Sequence, residues 1–408
     1  MFSFSKSLDK ITEDDLLGLI KSEAVENRQL EYKRELPGIA EKDKREFVRD
    51  VVSFANSAGG HIIFGIGATN GIPTELVPIS EDKIDDAKLR LESIIRTSVE
   101  PTIQGLKIDS VKLSNGRALI IEIPRSLFGL HLIKGRGAFI TRTSAGKSEL
   151  DVGEIRAAFA GAEAASARMR EFRAERTWRL QNGEALWPLI SSRVGVMHIL
   201  PLASFASGAY YCAIDKIPRE VGEILYPMGR RPSVYVPKIT FDGYANQMNW
   251  GGKGGALHGY SHIFRNGAIE SVNADFLDQF FGPAEIAQGD AAQLYWLEIL
   301  TMDCAERMLR MMELLEIPGP YYLLLAFLNV KGFRVTRGGE RPRFVQDYRT
   351  VDRENLILPE VLIESTDVSI ESEMRSSFDM VWNACGWQRS FSYTDDRYPE
   401  NWRNYFKR

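Results

Sequence analysis

The sequence predicts an α+β protein: a mixed-sheet N-terminal domain, a helical connector and a second α+β domain. Three observations lead there. Short β-branched apolar runs alternate with helix-period segments through residues 25–150, the pattern of helices laid on a mixed sheet. From 152 to about 189 the chain is charged and helix-periodic, with no strand-like run. Apolar strand runs then return at 194–201 and 320–335, on either side of a strong helical segment at 290–315. A chain of 408 residues is too long for one typical core, so two folded domains are expected. The boundaries read as 1–151, 152–189 and 190–408.

The elements follow in order. Thr12 is a good N-cap with Asp15 at N3, a variant of the capping box, and Leu16, Leu17 and Ile20 form the expected buried stripe of a first short helix. Strands are expected near 30–34, 61–67, 105–113, 118–124 and 138–143, and helices near 42–56 and 80–98. The 42–56 helix is the clearest. Phe47, Val48, Val51, Val52, Phe54 and Ala55 repeat at helical spacing, while Lys42, Arg45 and Arg49 share another face. Gly59 and Gly60 fall where that helix must stop, because glycine takes the left-handed C′ conformation without strain. The run His61 to Ile66 is short, apolar and β-branched, and reads as a central strand. Ser114-Asn115-Gly116 and Arg265-Asn266-Gly267 are turn signals between strands. In the 152–189 helix Arg168, Arg170, Arg173, Arg176 and Arg179 interleave with Glu163, Glu171 and Glu175. That pattern fits a solvated connecting helix better than a basic helix lying on nucleic acid. The Leu and Met positions of the 290–315 helix read as core.

Functional signal concentrates early in the chain. On a strand, Leu30 and Tyr32 point to one side and Glu31 and Lys33 to the other. Glu26 has the opposite parity to Glu31, so the two carboxylates converge only where the chain turns near Asn27, a good turn residue. Converged carboxylates attract a divalent cation, which can activate water, and Lys33 would neutralise phosphate charge. Spacing alone also fits an ordinary solvent-facing strand pair. Held close, the two acids repel, so Glu31→Gln is expected to leave stability unchanged or raise it. His61 stands at the strand entrance, next to the presumed acidic site, where it would contact phosphate or move a proton.

Taken together, Glu26…Leu30-Glu31-Tyr32-Lys33, Phe54-Ala55-Asn56…Gly59-Gly60 and Phe64-Gly65-Ile66 resemble the AlbA-type domain of the Schlafen family, over about residues 21–158. Arg136-Gly137-Ala138-Phe139-Ile140-Thr141-Arg142-Thr143 is similar to that family's closing strand with its arginine. The resemblance implies metal-dependent cleavage of structured RNA, transfer RNA above all, by two glutamates and a later aspartate on Mg²⁺ or Mn²⁺, with a defence or stress role. Glu26 and Glu31 match the glutamates. Where the family has its third acid this chain reads Gly67-Ala68-Thr69-Asn70-Gly71, so Asn70 is left as a neutral oxygen ligand and no base. The implied catalytic set is Glu26, Glu31 and Lys33, and the implied metal set is Glu26, Glu31 and Asn70. Arg45, Arg49, Arg142, Lys147 and His61 would hold the nucleic acid. The competing expectation is a non-catalytic nucleic-acid-binding or regulatory protein that has lost the third acid, or a nucleotide-binding one.

Composition sets limits. A net charge of −4 and a pI near 5.9 exclude global attraction to RNA or DNA, so any binding needs a local basic patch. Cys212, Cys304 and Cys385 are distant and odd in number, which argues for buried thiols against a disulfide framework or zinc site. The chain shows neither an apolar run of membrane-spanning length nor a signal-peptide core, so no membrane and a cytoplasmic location are expected. Vertebrate Schlafens bring two related lobes together around RNA. This chain has one such unit, which makes a homodimer the expected assembly. The second domain has no catalytic motif, and sensing or oligomerisation is expected of it.

Overall fold

The computed structural model describes residues 8–403 except 127–128, 136, 144–145, 206–211, 219–220, 230–234, 249–254, 276–291, 318, 338–347, 395–396 and 400–401. Arg136 of the closing-strand motif therefore lies outside the described residues, as does the start of the expected 290–315 helix. The chain divides into two compact units, Met1–Ala164 and Ala165–Arg408.

The first unit runs α1 (Glu13–Lys21), β1 (Leu30–Lys33), α2 (Glu41–Ala55), β2 (Gly60–Phe64), β3 (Ile66–Thr69), β4 (Ile72–Leu76), α3 (Ile84–Ser98), β5 (Val99–Glu100), β6 (Lys107–Leu113), β7 (Gly116–Ile123), β8 (Leu132–Ile133), β9 (Ile140–Thr143) and β10 (Gly146–Glu149). Helix α4 (Val152–Gln181) begins there and continues into the second unit. Its main sheet has the order β1-β2-β7-β6, with β1 parallel to β2 and the other pairs antiparallel, so the sheet is mixed as expected. One face buries Phe47, Val51, Ile62, Leu91 and Ile121 with α2 and α3, and the other buries Leu16, Leu19, Leu30, Tyr32 and Ile63 with α1. Each such side chain contributes about 1.5–3 kcal/mol. Thr12 and Asp15 form the expected cap, the Thr12 amide donating to Asp15 Oδ2 at 2.9 Å. The α1 stripe is shifted by contrast: Leu19 is buried and Leu17 is 45% exposed.

The expected 61–67 strand is two strands. Gly65, at φ +96°, breaks the run, and β3 leaves to pair with β4 through Asn70 and Gly71, at φ +52° and +76°. Positive φ at both central residues is the type I′ hairpin preference of Asn-Gly. Gly60 is needed for a different reason. Its φ is +150°, and a Cβ there would lie 2.4 Å from the Gln29 carbonyl oxygen, which accepts the His61 amide at 2.8 Å. Gly60→Ala should therefore destabilise the first unit by about 2 kcal/mol or more. Urea unfolding checks this, and a loss below about 0.5 kcal/mol would show that the strand entrance relaxes freely.

The second unit continues with β11 (Val194–Pro201), α5 (Val221–Ile224), β12 (Tyr235–Ile239), β13 (Gly243–Met248), β14 (Gly259–Phe264), β15 (Ile269–Asn273), β16 (Ala292–Gln293), α6 (Leu294–Leu314), β17 (Tyr321–Leu328), β18 (Arg334–Thr336), β19 (Arg349–Thr350), β20 (Leu356–Ile357), β21 (Val361–Ile363), α7 (Ile370–Glu373) and α8 (Arg375–Asn383). An eight-stranded antiparallel sheet has the order β12-β13-β14-β15-β11-β17-β20, with β21 also on β17. Helices α6 and α8 share its largest core, with Met302, Met308, Met312, Phe378 and Trp382. The second half of α4 packs through Ala165, Met169 and Phe172 against Leu200, Phe264 and Leu324.

That half of α4 departs from the solvated face its charges suggested. Arg168 donates to the Phe205 carbonyl at 2.8 Å, Arg173 to the Leu358 carbonyl, and Arg176 is buried on Glu270. The interleaved glutamates are visible in the helix itself, but the deciding partners come from strands far along the chain. All three cysteines are buried and unpaired, as expected. Among the described residues no helix is long and apolar enough to cross a membrane.

Candidate nucleic-acid interface

The site begins at a turn. The Asn27 amide donates to the Leu30 carbonyl at 3.0 Å, and Asn27 Oδ1 accepts the Gln29 amide at 2.8 Å. The chain thus folds back before β1, and Glu26 Oε1 accepts the Tyr32 amide at 2.8 Å. Leu30 and Tyr32 are buried on one face of β1, which leaves Glu31 and Lys33 on the other.

Three cationic side chains meet the acids on that face. Lys33 Nζ lies 2.8 Å from Glu31 Oε1 and 3.1 Å from Asp50 Oδ2. Arg142, from β9, binds Glu31 Oε2, and its guanidinium lies 4.5 Å above the Phe54 ring. Lys147, from β10, binds Asp50 Oδ1 at 2.6 Å and also Glu46. Asp50, on α2, is 1% exposed and ties together lysines from two different strands. Its Oδ2 has no hydrogen bond and faces Lys33 as an ion pair only.

The Phe-Ala-Asn motif holds this constellation in place. Asn56 donates to the carbonyls of His131 at 2.8 Å and Ile140 at 2.9 Å, and accepts the His131 amide at 2.7 Å. It therefore clamps the end of α2 to the start of β9, while Phe54 supports Arg142 from below. Both motif residues position the site from outside it.

Charge states follow from these contacts. Burial would raise the Glu31 carboxyl, but Lys33 and then Arg142 outweigh it and hold its pKa below the usual range. Glu26 goes the other way: burial raises it, and the nearby Glu31 charge adds to that. For Lys33 burial is outweighed by Asp50 and Glu31, which raise its pKa further. The expected effect of Glu31→Gln is corrected by this. A carboxylate with a depressed folded pKa contributes stability above its unfolded value, lost as pH falls through the folded one. At neutral pH the substitution therefore costs stability, because Arg142 loses its carboxylate and Lys33 loses one of its two.

Other expected site residues lie elsewhere. His61 pairs with Leu30 and Glu122 in the sheet, so it projects with Leu30 to the face opposite Glu31. Burial lowers its pKa. Arg45 is exposed, 3.8 Å from Glu41, and Arg49 is half-buried. Each precedes a site acid, Glu46 or Asp50, by one residue, which puts it about 100° round the helix. Asn70 is an exposed turn residue whose neighbour Gly71 accepts the Glu26 amide at 2.7 Å. Sequence reasoning passed over Asp50 and Glu46. The available signal was a carboxylate inside the apolar run Phe47–Ala55, with a second acid at i−4.

A divalent metal does not fit this donor set as packed. Both Glu31 oxygens are committed to cations, Glu26 Oε1 to an amide and Asp50 Oδ1 to Lys147. Among the described residues no three His, Cys, Asp or Glu side chains gather as a metal centre. Protonated side chains already supply the positive charge that an ion would bring.

The N-terminal unit is thus a mixed sheet with a buried ionic cluster between its edge strand β1 and helix α2. Residues 26–151 match the family model described as Schlafen, AlbA_2, so this unit carries a Schlafen AlbA_2 domain. Among solved structures the chain is similar to the N-terminal domain of a putative ATP-dependent DNA helicase RecG-related protein from Nitrosomonas europaea. The identity is 17%, over 31% of this chain and 83% of that one, with a TM-score of 0.24. The DIP2311 protein from Corynebacterium diphtheriae is 16% identical over 33% of this chain and 29% of that one, also with a TM-score of 0.24. No curated protein matches the chain.

Proposed function

We propose that the N-terminal unit grips the phosphate backbone of RNA at Lys33, Arg142 and Lys147. The observation that carries this reading is the convergence of three cationic heads, from β1, β9 and β10, on Glu31 and Asp50. A chain of net charge −4 needs such a local patch. Phosphate would compete with carboxylate for these heads, most easily at Lys147, whose second partner Glu46 is 57% exposed. A cytoplasmic homodimer in defence or stress belongs to the same reading.

The second reading is a metal-dependent endoribonuclease. It is favoured by the turn at Asn27, which returns Glu26 to β1 beside Glu31 with its Oε1 on the Tyr32 amide, and it requires Lys33 and Arg142 to release Glu31 when a metal binds.

One experiment separates them: purified protein with structured RNA across a salt series, with and without Mn²⁺. Binding without metal is expected, with log K falling by about 0.7–0.9 per phosphate neutralised for each decade of salt. Replacing Lys33, Arg142 and Lys147 together by Gln should lower the slope by about 2. Lys147→Gln alone, at the rim, should lower it by about 1 and guards against misfolding of the triple variant. An unchanged slope in both variants would overturn the site. Mn²⁺-dependent cleavage lost in Glu26→Gln would put the nuclease reading first.

A further inference from the structure

The second unit carries a surface that the N-terminal site leaves unexplained. After α8 the chain turns at Gly386, φ +83°, and the loop to Ser392 is tightly bonded. The Trp387 amide donates to the Trp382 carbonyl at 3.0 Å, the Ser390 amide to Asp379 at 2.7 Å, and Asn383 to the carbonyls of Trp387 and Gln388. Trp387 and Phe391 each pack against Trp382, with ring centroids 5.2 and 5.3 Å away. Trp382 is itself pinned, its indole N–H donating to the buried Glu298 at 2.7 Å. The loop nevertheless holds Phe391 half in solvent, at 50% exposure.

Two arginines converge on these rings. The Arg337 guanidinium lies 4.1 Å from the Phe391 ring and 5.8 Å from Trp387, and Arg349 lies 6.0 Å from Trp387. The register explains the convergence. Val335 pairs with Arg349 across β18 and β19, so Arg349 shares a face with Val335 and, two residues on, with Arg337. Among the described residues neither arginine makes an ion pair, whereas the exposed Arg353 pairs with Asp352 and the half-buried Arg403 with Glu306 and Glu371. Two like charges gathered on one indole, with no acid paired to either among the described residues, suit an anionic ligand. A rigid, half-exposed ring with a guanidinium laid on it suits a flat one.

We infer that Arg337, Arg349, Trp387 and Phe391 form a stacking platform for single-stranded nucleic acid. Bases stack on Phe391 and the Arg337 plane, and the two guanidiniums meet the phosphates. The inference does not rest on the N-terminal site, because it uses residues of the other unit only.

The test uses the full chain and fluorescein-labelled oligouridine and oligothymidine of about 12 nucleotides, within the site sizes such platforms take. Phe391→Ala should weaken binding about 10-fold, the lower part of the range for one stacked base, while Phe391→Tyr retains it. Arg337→Gln with Arg349→Gln should lower the salt slope by about 1–2. Light-induced crosslinking of a 5-bromouridine oligonucleotide should mark the peptide containing Trp387 and Phe391. Crosslinks confined to residues 26–151, with Phe391→Ala binding as wild type, would overturn the inference and leave the N-terminal reading intact. Equal affinity for polyglutamate would also overturn it, by assigning the patch to an acidic protein. Circular dichroism melting of each variant separates lost binding from lost fold.

Discussion

Arg176→Met should destabilise the second unit by about 3–5 kcal/mol, the usual cost of removing one partner of a buried ion pair. Arg176 donates Nε to Glu270 Oε2 at 2.8 Å and Nη2 to Oε1 at 2.7 Å. Glu270 is 0% exposed. His198 sits 3.0 Å from its Oε2, and the Tyr260 hydroxyl donates to Oε1 at 3.0 Å. Burial alone would raise this carboxyl, but Arg176 and then His198 hold its pKa well below the usual range. Without the guanidinium a carboxylate is stranded between helix and sheet. The double variant Arg176→Met, Glu270→Met should recover most of the loss, since apolar replacement of a whole buried pair is often neutral. Urea unfolding followed by near-ultraviolet circular dichroism measures both. A loss below about 1 kcal/mol in the single variant would mean that the pair does not fasten α4 to the sheet.

The stability of the second unit relative to its Glu298→Gln variant should also fall as pH rises from about 4.5 to about 7, by on the order of 3 kcal/mol; His262, whose pKa burial lowers to about 4, acts in the opposite direction in both proteins and cancels in the difference. The group responsible is Glu298 on α6, 1% exposed, whose carboxyl burial pushes up to about 7. Hydrogen bonds from Ser390, Ser392, Trp382 and Tyr398 oppose that rise only in part. The folded state then keeps a proton that the unfolded chain has released, so stability is full below the unfolded value and is lost on the way up to the folded one. Glu298→Gln keeps the shape without the titration. Its unfolding free energy is the reference, because it carries every other titration, that of His262 included. Equal slopes in wild type and variant would clear Glu298 of the effect.

Much of the first unit was legible in the sequence because its signals are local. The period of Phe47, Val48, Val51 and Val52 selects a helix and its buried face. Gly59, in the left-handed region, closes it, and alternation in Leu30-Glu31-Tyr32-Lys33 assigns each side chain to a face of β1. Asn27 supplies the turn that brings Glu26 back to Glu31. Each of these rests on a few consecutive residues and their backbone preferences. The second unit was less legible. Its eight-stranded sheet is built from short or fully buried strands such as β11 and β14, which show no alternation to read.

Charge pairing is where the two levels part. The sequence by itself determined the α+β class, the helices and strands around the site, and the face on which Glu31 and Lys33 lie. Only the tertiary structure decided what those charges meet. Arg142 reaches Glu31 across 111 residues, Lys147 reaches Asp50 across 97, and Arg176 reaches Glu270 across 94. Local propensity carries no record of such partners. A charge is solvated or buried according to what the closed fold lays against it, and a lone buried charge is too costly to persist unpaired. Asp50 therefore looks like an interruption in an apolar helix until β1 and β10 bring two lysines to it.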